Sequence, residues 1–275
     1  MFSQELDACE ALALRAGELA LAIYCQPFDV AFKEGDDPVT AADRALNAML
    51  VEAIATRFPQ DVVIGEESTW DGAVESGRVW FIDPIDGTRD FVKKNGEWSI
   101  MIGLVVDGRP SVGVVYQAAT GDLYSAASGA GAWHRVGSSR RQLRVSDDQD
   151  AEELVHVSSR SHPDARIQTL VRALGIQREY QHGSVGCKLA QIAEQRASLY
   201  VNLSGACHMW DCAGPDVLIR EAGGILMDLR GRPLSYTGRD TLVRAPFVAT
   251  TGRLAPLVLE HIARLPGWME LMEHP

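Results

Sequence analysis

Between residues 4 and 25, Leu6, Cys9, Ala13, Leu14 and Leu21 recur mostly every three to four positions with charges between them, which predicts an amphipathic helix. After a loop containing Gly35 and Pro38, Thr40-Ala41-Ala42-Asp43 opens a second predicted helix with Leu46, Met49, Leu50, Ala53 and Ile54 on its apolar side. That helix ends near Phe58-Pro59, because proline disfavours helix at the residue before it. The period then changes. Residues 62–64 and 79–82 read as short strands, each running into acidic residues. From Trp98 the pattern is strand, turn, strand: Asp107-Gly108 separates 100–106 from 111–116, and Thr120-Gly121 precedes 123–126. This predicts an antiparallel meander.

A polar stretch, 137–150, is the best candidate boundary. Beyond it strands are expected at 155–157, 199–201, 224–229 and 247–250, alternating with helix at 165–174, around 188–194, at 211–222 and at 257–264. The expected fold is an α/β (α+β) layered sandwich, with helices and a meander sheet in the N-terminal half and alternating α/β in the C-terminal half. The expected division is an N-terminal subdomain, 1–145, and a C-terminal one, 146–275, that closes a cleft on it. A length of 275 residues suits one large domain or two modest ones.

Composition narrows the function classes. No run approaches the roughly 20 apolar residues that a membrane span needs, and the N-terminus carries Glu5, Asp7 and Glu10 rather than a basic leader. The five scattered cysteines argue against a disulfide framework and suit a reducing compartment, so a cytoplasmic location is expected. Cys207, His208 and Cys212 lack the CxxC partner that a zinc site would need. A formal net charge of −11 without a basic arm excludes a nucleic-acid polymer as the expected partner. It also means that an anionic substrate needs a bound cation or a local basic cluster.

The chemistry concentrates in Asp83-Pro84-Ile85-Asp86-Gly87-Thr88, entered from an apolar strand. Two carboxylates one tight turn apart repel unless a cation lies between them, and magnesium prefers such oxygen ligands. The Ile85 carbonyl could add another oxygen, Gly87 lets backbone amides approach a phosphate, and Thr88 supplies a hydroxyl. Asp, Pro and Gly are also ordinary turn residues, so this segment alone leaves an acidic turn equally open. Its companions each have a plain reading too: Gly65-Glu66-Glu67-Ser68 as a solvated loop, Asp211 as an N-cap, Asp43 as the acidic half of a capping box with Thr40. Their conjunction favours a metal site. Gly129-Ala130-Gly131 lacks a full GxGxxG and reads as a turn.

GEES at 65–68, WFIDPIDGT at 80–88 and WDCAGPDVLIREAGG at 210–224 resemble, in order and spacing, the lithium-sensitive inositol monophosphatase superfamily of magnesium phosphatases. The resemblance runs across nearly the whole chain. It implies that Glu66, Asp83, the Ile85 carbonyl, Asp86 and Asp211 hold two or three Mg2+ ions, and that Li+ inhibits. It further implies that Thr88 and its acidic partner Asp43 activate the attacking water, with Glu66 also at the catalytic centre. Glu66, Ile85, Asp86, Gly87, Thr88 and Asp211 would then contact a small phosphorylated substrate, and no phosphoenzyme would form. A monomer or homodimer is expected.

Within that superfamily, PVTAAD at 38–43, GTRDFVKKNGEWS at 87–99, SSRSH at 158–162 and GSVGCKLAQIAEQRASLYV at 183–201 resemble the 3′(2′),5′-bisphosphate nucleotidases. Those enzymes remove the 3′-phosphate of adenosine 3′,5′-bisphosphate. The resemblance adds Arg160, His162, Ser184 and Lys188 as substrate-binding residues, the cations serving a second phosphate. Taken singly, Lys188 reads equally as a snorkelling surface lysine, and Arg160 and His162 as an exposed loop. Inositol-specific members carry an acidic residue where this chain has Ser204, whereas His208-Met209-Trp210-Asp211 is closer to the inositol enzymes. An inositol-1-phosphatase or another sugar-phosphate phosphatase is therefore the alternative. A non-catalytic nucleotide or metal binder is more remote, since every catalytic group is present.

Overall fold

The computed structural model describes residues 2–32, 38–268 and 271; Gly35, in the predicted loop, lies outside them. In chain order the first elements are α1 (Ser3–Tyr24), β1 (Val30–Phe32), β2 (Pro38–Thr40), α2 (Ala41–Arg57), β3 (Val62–Gly65), β4 (Arg78–Asp86) and α3 (Thr88–Lys93). Next come β5 (Ser99–Val106), β6 (Arg109–Gln117), β7 (Asp122–Ala127), β8 (Gly131–Val136) and β9 (Ser139–Gln142). There follow β10 (Val155–Ser159), α4 (Ala165–Ala173), β11 (Arg178–His182), α5 (Val185–Ala193), β12 (Leu199–Asn202) and β13 (Cys207–His208). The last are α6 (Met209–Glu221), β14 (Gly224–Asp228), β15 (Leu242–Val243), β16 (Phe247–Thr251) and α7 (Ala255–Arg264).

Two mixed sheets organise these elements. The first runs β3-β4-β5-β6-β7-β8-β9, parallel between β3 and β4 and antiparallel from there on. The second runs β11-β10-β12-β16-β14, parallel across β11, β10 and β12 and antiparallel beyond. Helices α1 and α2 cover one face of the first sheet, α5 and α6 fill the space between the sheets, and α4 and α7 lie against each other on the far side of the second. The result is an α/β fold with helices interspersed among mixed sheets. In α2 the stripe Leu46, Leu50 and Ile54 is fully buried, each contributing about 1.5–3 kcal/mol relative to exposure.

Two local departures from regularity position the site. The sequence pattern predicts a tight turn between Asp83 and Asp86, whereas β4 continues through Asp86. Asp83 pairs with Met101 and Asp86 with Ser99, so three steps along β4 oppose two along β5. The extra residue is taken up as a bulge, where Pro84, lacking an N–H, is tolerated. The second departure is the close approach of α6 to the sheet. A Cβ on Gly103 would come 2.6 Å from the Gly214 nitrogen, and one on Gly113 would come 2.1 Å from the Gly214 oxygen. Only glycine permits that contact, and it carries the first turn of α6 to the end of β4.

Candidate metal centre

Carboxylate oxygens of Asp83 and Asp86, from the bulge of β4, and of Asp211, from the first turn of α6, lie within 4.8 Å of one another. Asp211 is not the N-cap that the sequence suggests. His208 takes that place, and Asp211, at the third helical position, accepts the His208 backbone N–H at 2.5 Å through Oδ2. The fourth acidic residue, Glu66, follows β3, and its backbone N–H donates to the Ile82 carbonyl at 3.0 Å. Its side chain hydrogen-bonds to Asp83. Asn47 of α2 holds this loop by accepting the Glu67 N–H (3.3 Å) and donating to Ser68 Oγ (3.0 Å).

Negative charge dominates this cluster. Burial, and then the charges of Glu66, Asp86 and Asp211, push the Asp83 carboxyl well above the ordinary range. Burial and the charge of Asp86 do the same to Asp211. Asp86 is also raised by burial, against the opposing pull of Lys188, of the Ser184 hydroxyl (2.5 Å) and of the Gly186 N–H (2.9 Å). Asp83 Oδ1 is buried without a hydrogen-bond partner. Like charges gathered in a largely buried site, with one oxygen orphaned, need a counter-ion. An all-oxygen donor set suits a hard divalent cation, so these residues fit the ion that the resemblance implies.

Beside the cluster, Thr88 Oγ1 lies 3.1 Å from both Asp43 Oδ1 and the Ile85 carbonyl oxygen. Asp43 is buried and makes the capping box expected of it. Its Oδ2 accepts the Thr40 N–H (2.7 Å) and Thr40 Oγ1–H (2.6 Å), leaving Oδ1 for Thr88. Burial raises the Asp43 carboxyl and the Thr40 bonds work against that. Gly87 has φ 92°, and a Cβ there would meet the Glu97 carbonyl at 3.0 Å and the Ser184 nitrogen at 3.2 Å.

The four residues assigned to substrate by resemblance occupy different settings. Ser184 is brought to the cluster, bonded to Asp86 and 2.8 Å from Ser99 Oγ. Lys188 is buried, so it does not snorkel; its amine donates to the carbonyls of Ser184 (2.7 Å), Gly183 (3.1 Å) and His182 (3.4 Å). Arg160 forms a two-pronged ion pair with Glu97. His162 is exposed and lines a cavity of about 380 Å³ together with His156 and Glu179. The sequence pattern did not single out Asn47, Glu97 or Asp90. None sits in a distinctive spacing, although Glu97 and Asp90 both fall within the GTRDFVKKNGEWS stretch.

A buried all-oxygen carboxylate centre at a strand end, with a hydroxyl–carboxylate pair beside it, defines on this fold a metal-dependent phosphomonoesterase acting on a small phosphorylated substrate. The inositol monophosphatase family matches residues 3–266. The chain is 36% identical over 248 residues to the 3′(2′),5′-bisphosphate nucleotidase CysQ of Escherichia coli (strain K12), covering 88% of this chain and 98% of that protein. It is 30% identical over 273 residues to inositol monophosphatase 1 of Pongo abelii, covering 95% of each. Among solved structures, an IMPase of Thermotoga maritima superposes with a TM-score of 0.81 at 25% identity, over 98% of each chain. CysQ of Bacteroides thetaiotaomicron gives 0.75 at 27%, over 92% of this chain and 98% of that one. The chain belongs to the inositol monophosphatase family.

Proposed function

We propose that this chain is a magnesium-dependent phosphatase that removes the 3′-phosphate of adenosine 3′,5′-bisphosphate, releasing AMP and phosphate. The observation that carries the chemistry is the cluster of Asp83, Asp86 and Asp211 beside the Thr88–Asp43 pair. Glu66, Asp83, the Ile85 carbonyl, Asp86 and Asp211 would hold two or three Mg2+ ions, and the chemistry these would supply is charge neutralisation of the phosphate and a lowered pKa of water. Thr88 Oγ1 passes its own hydrogen toward Asp43 Oδ1 and is thereby free to accept one from the attacking water. Thr40, by occupying Asp43 Oδ2, fixes the carboxylate that receives it. Amides at Gly87 and Thr88 hold the phosphate for in-line displacement. No side chain is needed as a nucleophile. Subdomains 1–145 and 146–275 supply the two walls of the cleft.

The substrate assignment is supported by the 36% identity to CysQ and by Ser204 in place of an acidic residue. A second reading, inositol 1-phosphate, is favoured by the likeness of His208-Met209-Trp210-Asp211 to the inositol enzymes and by the 30% identity to inositol monophosphatase 1. The deciding experiment compares kcat/KM for adenosine 3′,5′-bisphosphate and inositol 1-phosphate at saturating Mg2+. A preference for the nucleotide is expected. A preference for inositol 1-phosphate transfers the assignment to the second reading, and binding without phosphate release from either contradicts both. Lithium at millimolar concentration is expected to inhibit.

A further inference from the structure

Arg160, just after β10, pairs with Glu97, in the segment between α3 and β5. Its Nε donates to Glu97 Oε2 at 2.8 Å, and its Nη2 donates to Glu97 Oε1 at 2.7 Å and to the Gln181 carbonyl at 3.0 Å. The remaining terminal nitrogen, Nη1, has no hydrogen-bond partner among the described residues, and the side chain is 35% exposed. A guanidinium has five N–H donors in a planar fork, so this arrangement fixes its plane and leaves one terminal group to bind something else. Asp90 Oδ1, 4.0 Å from Nε, flanks the same edge.

Glu97 is itself held on two sides. Its Oε2 also accepts the Gly183 N–H at 2.8 Å, and its backbone carbonyl lies against Gly87. Burial alone would raise the Glu97 carboxyl, but the Arg160 and Gly183 bonds bring it below the ordinary range, so it stays charged. One residue thus spans from the turn that the proposed phosphate contacts to the guanidinium. The buried amine of Lys188 has its donors on three carbonyls. Arg160, unlike Lys188, keeps a terminal donor group that no described residue takes up.

We propose that Glu97 is a positioning residue for a second anionic group on the substrate: it sets the Arg160 guanidinium side-on and leaves Nη1 to receive that group. The substrate class follows as a small molecule carrying one phosphate over the metal cluster and a second anion on the Arg160 side. This rests on the phosphatase reading above. Fixing a long side chain before binding removes an ordering cost, and the gain is about 3–10-fold in affinity.

The test measures KM and kcat for adenosine 3′,5′-bisphosphate and adenosine 3′-monophosphate, which share the scissile phosphate and differ in the second anion. Wild type, Glu97→Gln, Arg160→Ala and the double variant are compared. Glu97→Gln keeps an acceptor for the Gly183 N–H and loses the charge-paired fork. It is expected to raise KM for the bisphosphate about 3–10-fold more than for the monophosphate, with little change in kcat. Arg160→Ala is expected to erase the preference between the two substrates, and adding Glu97→Gln to it should change that ratio no further. An equal change for both substrates, a loss confined to kcat, or an independent factor on top of Arg160→Ala overturns the proposal. If wild type cleaves neither nucleotide, the substrate reading has failed by itself. The same variants are then compared on inositol 1-phosphate and inositol 1,4-bisphosphate, where the same ratio decides the role of Glu97.

Discussion

Asp211 and Asp216 stand five residues apart on α6, and the chain treats their charges in opposite ways. Asp216 is fully buried, but Arg220 donates to it from the next turn and Tyr236 Oη–H reaches its Oδ2 at 2.8 Å. Burial pushes its carboxyl up while Arg220 and Tyr236 pull it down. Asp211 faces Asp83 and Asp86 instead, and its chief protein donor is the His208 N–H. One carboxylate has its counter-charge built into the chain. The other belongs to a cluster in which Lys188 acts on Asp86 alone, so the remaining counter-charge must come from solution. A buried acid with partners is read as structure, and a cluster of acids with an orphaned oxygen as a cation site.

The largest effect expected from this contrast is on turnover. Asp86→Asn should lower kcat at saturating Mg2+ by about 10³-fold or more while leaving the circular dichroism spectrum unchanged. Near-wild-type turnover would remove Asp86 from the metal site.

Asp216→Ala should act on the other side of the comparison, leaving Tyr236 Oη without its buried acceptor and Arg220 without its anion. A stability loss of about 1–3 kcal/mol is expected from urea unfolding, with Mg2+ affinity little altered. A variant of unchanged stability that binds Mg2+ poorly would invert the assignment of the two aspartates.

Asp83→Asn should remove repulsion from the metal-free protein. Its Tm without Mg2+ is expected to rise by about 2–4 °C for each kcal/mol relieved, and in saturating Mg2+ the wild type should be the more stable. A lower metal-free Tm for the variant would show that the cluster is not strained.

The smallest effect concerns His156, which is buried with both ring nitrogens lacking hydrogen-bond partners and with Glu179 Oε1 3.5 Å from Nδ1. Burial lowers its pKa, partly opposed by Glu179. The folded protein therefore takes up this proton less readily than the unfolded chain, whose histidines titrate near about 6.5. Stability from this group is complete above that pH and is lost as pH falls through it toward the folded value. His156→Leu should flatten the decline in unfolding free energy between about pH 7.5 and 5.5. An unchanged slope would mean that His156 contributes nothing to it.

The contrast also marks what was legible in the sequence. Thr40 and Asp43 are three residues apart at a helix start, so their capping box could be read from local spacing, and it is present. The apolar periods of α1 and α2 and the strand patterns of β5 to β7 were legible for the same reason. Strand β11, with the polar sequence Arg178–His182, was not, because it lies at a sheet edge and buries little. Nor was strand β9, which is exposed throughout. At the site, the acidic residues announced themselves by type and motif. Ser184 reaches Asp86 across 98 residues of sequence and Glu97 reaches Arg160 across 63, and contacts of that span leave no local trace. The acceptors of Lys188 lie only four to six residues before it, but its burial is set by the fold around α5. The bulge that replaces the expected turn at Pro84 depends on the partner strand, which no single segment reveals.

The most direct test of the central claim is calorimetric titration of Mg2+ into the wild type and into Asp83→Asn. The account predicts that Mg2+ binds the wild type and raises its Tm, and that the Asp83→Asn variant loses that binding despite its higher metal-free Tm. Undiminished Mg2+ binding by the variant, or none by the wild type, would contradict a cation site at Asp83, Asp86 and Asp211.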